Sequence, residues 1–184
     1  MPYYLPIVVT AVFYLVRVRE FFVRRDTEKG KIDEKSSFLF LFLGGTLVTF
    51  GAMAEYLFLD RTPSYLMVIL GSATFLFALV YRNWAIRTLG RFWSVHVEIR
   101  DNHELIQSGP FKNVRHPVYT AAILEVIGAV LILQAYLSTI LIFIVLLPAI
   151  FRRIQIEEIE LIRKFGDSYK EYMKRTGKLI PKLF

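Results

Sequence analysis

The sequence predicts an all-α integral membrane protein, a helical bundle of about five transmembrane helices with a cytosolic helical cap at the C-terminal end. Hydrophobic residues make up 55% of the chain, and the mean hydropathy is +0.45. They occur in long blocks, whereas a soluble domain spreads them in short periodic runs. Basic residues gather in alternate loops between the blocks. We expect a single membrane domain over residues 1–184.

Five apolar segments are the candidate transmembrane helices: 3–16, 38–59, 65–81, 118–133 and 136–151. A spanning helix needs about 20 residues, with about 17 as the lower limit. Segment 38–59 exceeds this length and segment 65–81 just reaches it. The other three are short and require snorkelling side chains or local thinning of the bilayer. Only Gln134 and Ala135 separate the last two, so we expect a tight antiparallel hairpin.

The basic residues predict the orientation. Of the 23 Lys and Arg residues, 22 lie in loop 17–37, loop 82–117 or tail 152–184, which leaves Arg61. The positive-inside rule therefore places the N-terminus outside and the C-terminus, with any active site nearby, in the cytosol. This bias and attraction to anionic lipid headgroups account for the net charge of +7. The charges line no continuous stripe, so we do not expect nucleic-acid binding.

Several function classes are excluded by what the sequence lacks. There is no cysteine, which rules out disulfides, thiolate catalysis and cysteine-based metal sites. The patterns GxGxxG, GxxxxGK[ST] and HExxH are also absent. We expect no metal centre, and a nucleotide-like cofactor would not be held by a soluble Rossmann domain.

The first candidate site is the stretch before the fourth segment. Pro117 suits the first turn of a helix, where its missing N–H costs nothing. Arg115 and His116 would then lie at a cytosolic helix N-terminus, where the helix dipole, free N–H groups and Arg115 form an anion site. The alternative is that Arg115 is a positive-inside anchor and His116 an interfacial polar residue.

The second candidate site lies in the tail. Arg153 and Glu157 are four residues apart, so they share a helix face just below the fifth segment. The alternative is a solvated pair, which contributes at most about 0.5 kcal/mol to stability. Apolar residues of the tail recur at three- and four-residue spacing, which predicts an amphipathic helix broken at Gly166, with Asp167 or Ser168 as the next N-cap. A helix lying on the headgroups would have the same pattern.

Glu125 lies near the middle of a short apolar segment. A carboxylate there costs roughly 2.5–3.5 kcal/mol on insertion, which makes it a functional candidate. The alternatives are a partner on a neighbouring helix or a neutral, protonated acid. Glu55 lies near a segment end and is expected to snorkel, and Pro148 is expected to kink the fifth helix.

Two motifs, in order and each at a cytosolic membrane boundary, resemble the isoprenylcysteine carboxyl methyltransferase family. Related phospholipid N-methyltransferases share parts of them. The residues that carry the resemblance are Leu105, Ser108-Gly109-Pro110-Phe111, Arg115-His116-Pro117-Val118-Tyr119, Arg153, Glu157-Glu158-Ile159-Glu160-Leu161-Ile162, Phe165-Gly166, Tyr169, Tyr172 and Pro181.

The resemblance implies that S-adenosylmethionine binds in a cytosolic pocket formed by regions 90–119 and 152–184. It implies that the cofactor-binding residues are Glu98, His103, Glu104, Leu105, Ile106, Phe111, His116, Pro117, Val118, Tyr119 and Glu157. Arg153 would bind the substrate carboxylate, and Arg153 and Glu157 would be the catalytic residues. The lipophilic or prenylated substrate would enter sideways from the bilayer.

The implied reaction is methyl transfer to a lipid-linked carboxylate, such as the C-terminal carboxylate of an isoprenylated cysteine. A carboxylate is ionised at neutral pH, so alignment and exclusion of water suffice without a general base. A phospholipid N-methyltransferase is the alternative, in which Glu157 or His116 would serve as the base for an amine. A sterol-reductase-like enzyme binding NADPH is disfavoured, because the Glu157–Glu158 pair suits a 2′-phosphate poorly. A non-enzymatic scaffold or transporter leaves both motifs unexplained.

Overall fold

The chain folds into a helical bundle with one small ribbon. The computed structural model describes residues 2–22, 31–34, 36–94, 97–99 and 102–182. The helices are α1 (Leu5–Phe22), α2 (Ser36–Phe58), α3 (Tyr65–Leu89), α4 (Pro117–Leu133), α5 (Thr139–Leu141), α6 (Leu147–Phe165) and α7 (Asp167–Arg175). Strands β1 (Lys31–Glu34) and β2 (Val97–Ile99) pair antiparallel, with Lys31 opposite Ile99. The predicted helical class is confirmed.

Three helices in the described ranges are long and apolar enough to cross a membrane. They are Ser37–Phe58, Tyr65–Phe92 and Thr139–Phe165, with hydropathies of 1.8, 1.7 and 2.0. Pro117–Leu133 is a shorter apolar helix. Large apolar side chains on these helices face outward, among them Phe40, Phe77 and Phe143. An outer surface of this kind suits lipid and not water, as expected of an integral membrane protein.

Two predicted helix ends are wrong, because each helix continues through an arginine that pairs with Glu125. The third segment was expected to end at Tyr81, but α3 continues to Leu89. Arg82 therefore lies inside the bundle, where it is 2% exposed, and not in a cytosolic loop. In the same way α1 runs to Phe22 and includes Arg17. Both arginines pair with Glu125 on α4, and this neutralisation lets the helices continue through charged positions.

The last apolar segment is the start of a longer helix. α5, a π-helical turn (Ile142–Leu146) and α6 follow one another without a break from Thr139 to Phe165. Pro148 lies two residues after the π turn, where we expected a kink. A π turn of this kind is a common way to accommodate a residue that cannot donate its backbone N–H. Because the helix is continuous, it runs from the apolar bundle to the candidate site, where its polar residues lie.

The chain leaves this helix through a glycine. Gly166 has φ +56° and ends α6, as the sequence predicted. The prediction of Asp167 or Ser168 as the next N-cap is wrong, because Gly166 occupies that position and α7 begins at Asp167. The Asp167 carboxylate pairs instead with Lys170 at 2.8 Å.

Close helix packing aligns α3 with α4. At Gly71 an added Cβ would lie 2.6 Å from the carbonyl oxygen of Gly128. Such small residues let two backbones approach closely inside a membrane.

Glu55, near the end of α2, does not snorkel as expected. Its carboxylate accepts from the backbone N–H groups of Leu137 at 3.1 Å and Ser138 at 2.7 Å, which ties α2 to the turn before α5.

Candidate active site

A large cavity opens where α4, α6 and α7 meet, and it continues into the bundle between α1, α2 and α3. Its volume is about 250 Å³. Along α4 it is lined from Pro117 to Ala129, which corresponds to about 18 Å of helix axis. This space is long enough for a polar cofactor at one end and a lipophilic chain at the other.

The cavity brings together every predicted site residue whose side chain the structure describes. These residues are His103, Glu104, Leu105, Ile106, Phe111, His116, Pro117, Val118, Tyr119, Arg153 and Glu157. The loop before α4 and the continuous helix meet here, although the sequence separates them by more than thirty residues. Glu98 lies in β2, and its side chain is outside the described residues.

A tyrosine joins the two residues that were expected to act together. Arg153 is 4% exposed and donates from Nε to the Tyr119 hydroxyl at 2.7 Å. That hydroxyl donates to Oε2 of Glu157, also at 2.7 Å. Arg153 also donates from Nη1 to Ser37 at 3.0 Å. Arg153 and Glu157 are therefore held in register by a phenol from α4, a link that helical spacing alone did not reveal.

Glu158 is a structural residue of the site that sequence reasoning did not select. Its carboxylate accepts from Arg115 Nε at 3.0 Å and lies 3.2 Å from both His116 Nε2 and Lys178 Nζ. Consecutive helix residues point about 100° apart, so the two glutamates face different partners. Glu157 faces the cavity, whereas Glu158 ties α4 and the tail to α6. The acidic pair was the available signal, but it did not show which member faces the cavity.

The predicted anion site at the start of α4 is wrong. The backbone N–H of Arg115 donates to the Gly177 carbonyl at 2.9 Å, and that of His116 donates to Lys178 at 3.1 Å. The Arg115 guanidinium also donates to the carbonyls of Met173 and Thr176. The chain's own tail thus occupies the donors that were expected to bind a ligand, and Arg115 is an anchor between helices.

Aromatic side chains form the walls near the opening. His103 stacks on Phe92 with ring centroids 4.9 Å apart, and it meets Phe165 edge to face with centroids 5.8 Å apart. Tyr172 donates to the Phe111 carbonyl at 2.6 Å, and burial raises the pKa of its phenol to about 12. These contacts connect the loop before α4 to α6 and α7.

Tyr169 is a second buried phenol, only 1% exposed. Burial, and then the carboxylates of Glu158 and Glu157, raise its pKa above the ordinary value, so the hydroxyl keeps its proton. Among the described residues its oxygen has no hydrogen-bond partner. A buried hydroxyl without a partner is costly, and this one lines the cavity. It is therefore a donor suited to a ligand.

Deeper in the cavity lies a charged cluster, which we call the membrane cluster (Arg17, Arg82 and Glu125). Arg82 donates from Nε and Nη2 to the two oxygens of Glu125, each at 2.7 Å, and Arg17 Nε lies 3.1 Å from Oε2. Of the alternatives for Glu125, the structure confirms a partner on a neighbouring helix. The three residues also line the cavity, so they are in contact with its interior as well as with one another.

The fold and the site define a class, a helical integral membrane protein with a cavity at one end of its helices that is lined by charged and aromatic side chains. The family model described as "Isoprenylcysteine carboxyl methyltransferase (ICMT) family" matches residues 67–163, more than half of the chain. The protein belongs to this methyltransferase family, and the resemblance found in the sequence is confirmed.

Two relatives and one solved structure are similar to this chain. The Bacillus subtilis (strain 168) protein YpbQ is 28% identical over 70% of this chain and 79% of its own length. A probable protein-S-isoprenylcysteine O-methyltransferase of Oryza sativa subsp. indica is 31% identical over 72% of this chain and 66% of its own. A solved structure of a eukaryotic intramembrane Ras methyltransferase, isoprenylcysteine carboxyl methyltransferase, is 26% identical with a TM-score of 0.61. The match covers 82% of this chain but only 54% of that one.

Proposed function

We propose that the protein transfers a methyl group from S-adenosylmethionine to a lipid-linked carboxylate, such as the C-terminal carboxylate of an isoprenylated cysteine. The observation that carries the proposal is the Arg153–Tyr119–Glu157 chain of hydrogen bonds inside the cavity, in a member of this family. It presents a cation and a carboxylate side by side, which matches a carboxylate acceptor and a cofactor that bears an ammonium group.

The residues present fit this cofactor. The Glu157 side chain is 32% exposed and faces the cavity, where it suits the ammonium group. The hydroxyl of Tyr169 has no partner in the described part of the chain and can bond a polar oxygen or nitrogen. The rings of His103 and Phe92 offer a stacking surface for an adenine. When bound, the cofactor supplies an electrophilic methyl group on a sulfonium centre.

The chain's own contribution is alignment and exclusion of water. Arg153 orients the acceptor carboxylate by charge-assisted hydrogen bonds, while Tyr119 and Ser37 hold its guanidinium in place. The acceptor is already ionised at neutral pH, so no residue needs to remove a proton. The bonds of Gly177 and Lys178 to the start of α4 hold the tail against the site, beside its opening. Exclusion of water by a bound substrate disfavours hydrolysis and strengthens the electrostatic contacts.

The topology we propose has one domain and five membrane-spanning helices, with the N-terminus outside and the C-terminus and the cofactor site in the cytosol. The apolar helix segments and the basic residues of alternate loops support it. α4 and the helix from Thr139 form the hairpin, and regions 90–119 and 152–184 form the cap. The acceptor enters from the bilayer, which the apolar outer surface and the depth of the cavity favour.

Titration of detergent-purified protein with S-adenosylmethionine tests the cofactor assignment. Wild type is expected to bind, and Glu157→Gln to raise the Kd at least about tenfold, because a charge-assisted contact is lost. Glu171→Gln, an exposed glutamate paired with Lys174, is the matched control and is expected to bind like wild type. No binding by wild type, or equal binding by Glu157→Gln, contradicts the assignment.

Radiolabelled methyl transfer then tests the acceptor. The proposal predicts transfer to N-acetyl-S-farnesylcysteine and none to phosphatidylethanolamine. Transfer to the amine alone would identify the protein as a lipid N-methyltransferase. Arg153→Gln is expected to lower kcat/KM for the carboxylate more than it weakens cofactor binding, and equal losses would refute its assigned role.

A further inference from the structure

A groove runs along the outer surface of the bundle between α2 and the continuous helix from Thr139. It is lined by Ser37, Phe40, Ile144, Val145, Pro148, Ala149 and Arg152. None of these residues lines the cavity of the candidate active site, so the groove is a separate feature. Phe40 and Ile144 are exposed, and on a membrane helix an exposed apolar side chain faces lipid.

The groove is polar at one end and apolar along the rest of its length. Ser37, in the first turn of α2, and Arg152 are its polar residues. Ile144 lies eight residues before Arg152, which is about 12 Å of helix axis. An extended chain of roughly ten carbon atoms has this length. The groove therefore has the polarity and the length of an amphiphile that lies with its headgroup at Arg152.

The Arg152 guanidinium is positioned beside this groove. Its Cζ lies 5.9 Å from the centroid of the Phe40 ring, within the range of a cation–π contact. In the part of the chain that the structure describes, Arg152 forms no hydrogen bond or ion pair. Its N–H groups are therefore available to an anion, and their fork matches two oxygens of a phosphate.

The next residue shows that this availability is particular to Arg152. Arg153 is buried and bonded to Tyr119 and Ser37. Consecutive residues of a helix point about 100° apart, so Arg152 faces the outer groove while Arg153 faces the active site. One arginine serves the site inside the bundle, and the other presents an unneutralised charge to the membrane.

The lining of the groove also selects the charge of the headgroup. Among the described residues, no Asp or Glu lines it. The ammonium group of a zwitterionic headgroup would therefore find no carboxylate here, whereas a headgroup with a net negative charge complements Arg152. The apolar part of the groove excludes a free inorganic anion as its full occupant, because such an ion would leave that surface empty.

We propose that this groove binds one anionic glycerophospholipid of the surrounding bilayer. The phosphodiester accepts hydrogen bonds from Arg152, and one acyl chain lies along Phe40, Ile144 and Val145. Pro148 and Ala149 make room for the chain, because neither has a long side chain. The site is distinct from the cavity in which we place the cofactor and the acceptor.

Native mass spectrometry of the detergent-purified protein tests the site by counting bound lipids. The protein is titrated with dioleoylphosphatidylglycerol and, separately, with dioleoylphosphatidylcholine. One phosphatidylglycerol is expected to bind at least about fivefold more tightly than phosphatidylcholine, because it alone has a net charge that complements Arg152. Equal Kd values for the two lipids would show unselective contact with the helix surface and overturn the proposal.

Two variants locate the lipid. Arg152→Gln is expected to raise the Kd for phosphatidylglycerol at least about fivefold. Arg87→Gln is the matched control, since Arg87 is also exposed near the end of a spanning helix but lines no groove that the structure describes. It is expected to stay within about twofold of wild type, and equal losses in the two variants would refute a site at Arg152.

Ala149→Phe fills the groove without changing the charge. It is expected to weaken phosphatidylglycerol binding to a similar extent, because the acyl chain loses its space. Unchanged binding in a variant with wild-type thermal unfolding would refute the position of the chain. If this variant does not fold, Arg152→Gln decides, since Arg152 is exposed and its replacement disturbs no packed side chain.

Competition distinguishes a bilayer lipid from the methyl acceptor, which is also an anionic amphiphile. N-acetyl-S-farnesylcysteine is expected to leave phosphatidylglycerol bound, because the acceptor occupies the inner cavity. Displacement of the lipid would identify the groove as a place for the acceptor and overturn the proposal. Neither measurement involves turnover, so the lipid site and the proposed methyl transfer stand or fail independently.

Discussion

The Tyr119 hydroxyl is one atom that connects Arg153 to Glu157, and Tyr119→Phe removes it with little change in shape. Two charge-assisted hydrogen bonds of 2.7 Å are lost. Such bonds contribute about 1.5–3 kcal/mol each. Glu157 is one-third exposed and can regain water, whereas Arg153 is 4% exposed and keeps the bond to Ser37. The net loss is therefore about that of one bond.

This loss corresponds to a fall of about ten- to a hundredfold in kcat/KM for the acceptor. Radiolabelled methyl transfer to N-acetyl-S-farnesylcysteine measures this kcat/KM. The Kd for S-adenosylmethionine is expected to change less, because the Glu157 carboxylate remains. Tyr65→Phe is the control, since Tyr65 is 61% exposed at the far end of α3. A kcat/KM within twofold of wild type, in a variant that still binds the cofactor, would refute the proposed role of the hydroxyl.

Three further predictions concern stability, each measured by thermal unfolding in detergent. Glu158→Gln is expected to cost about 3 kcal/mol, because Arg115 and Lys178 lose their shared carboxylate. Glu171→Gln, at an exposed pair with Lys174, is the control, and similar losses would contradict the reasoning. Gly71→Ala is expected to cost about 1–3 kcal/mol, since its Cβ meets an α4 carbonyl at 2.6 Å. Gly45→Ala has nothing within 4 Å and is expected to be neutral or stabilising, so equal effects would refute the packing argument. Burial raises the pKa of Tyr172 to about 12 in the folded state, from about 10 when unfolded. Stability is therefore complete below about pH 10 and declines towards pH 12, and Tyr172→Phe is expected to make that decline shallower.

The apolar segments and the two motif regions could be predicted because both are local signals. Hydropathy averaged over a window identifies a membrane helix from its own residues, and the structure confirms long apolar helices at 37–58, 65–92 and 139–165. The break at Gly166 is equally local, since a positive φ favours glycine. The motif residues from His103 to Glu157 lie around one cavity, as the resemblance implied.

The errors occur where a polar residue found a distant partner. Arg82 was placed in a loop because a charge normally ends an apolar helix, but it is paired with Glu125, 43 residues away in sequence. Glu55 was expected to snorkel, but it bonds the backbone at Ser138, 83 residues away. Arg115 was expected to bind an anion, but the tail supplies its partners. In each case the local rule is sound, and a contact between helices overrides it.

The sequence by itself determined that this is a helical membrane protein of a methyltransferase family, because apolar blocks, loop charges and short motifs are read along the chain. Only the tertiary structure decided which polar side chains are available to a ligand. That depends on how each helix is rotated and which neighbour it meets. The tertiary structure separates Glu157 in the cavity from Glu158 in an ion-pair network, and it brings Arg17, Arg82 and Glu125 together on the wall of the same cavity. Ion pairs in a low-dielectric interior form between residues of different helices, so the periodicity along a single helix does not predict them.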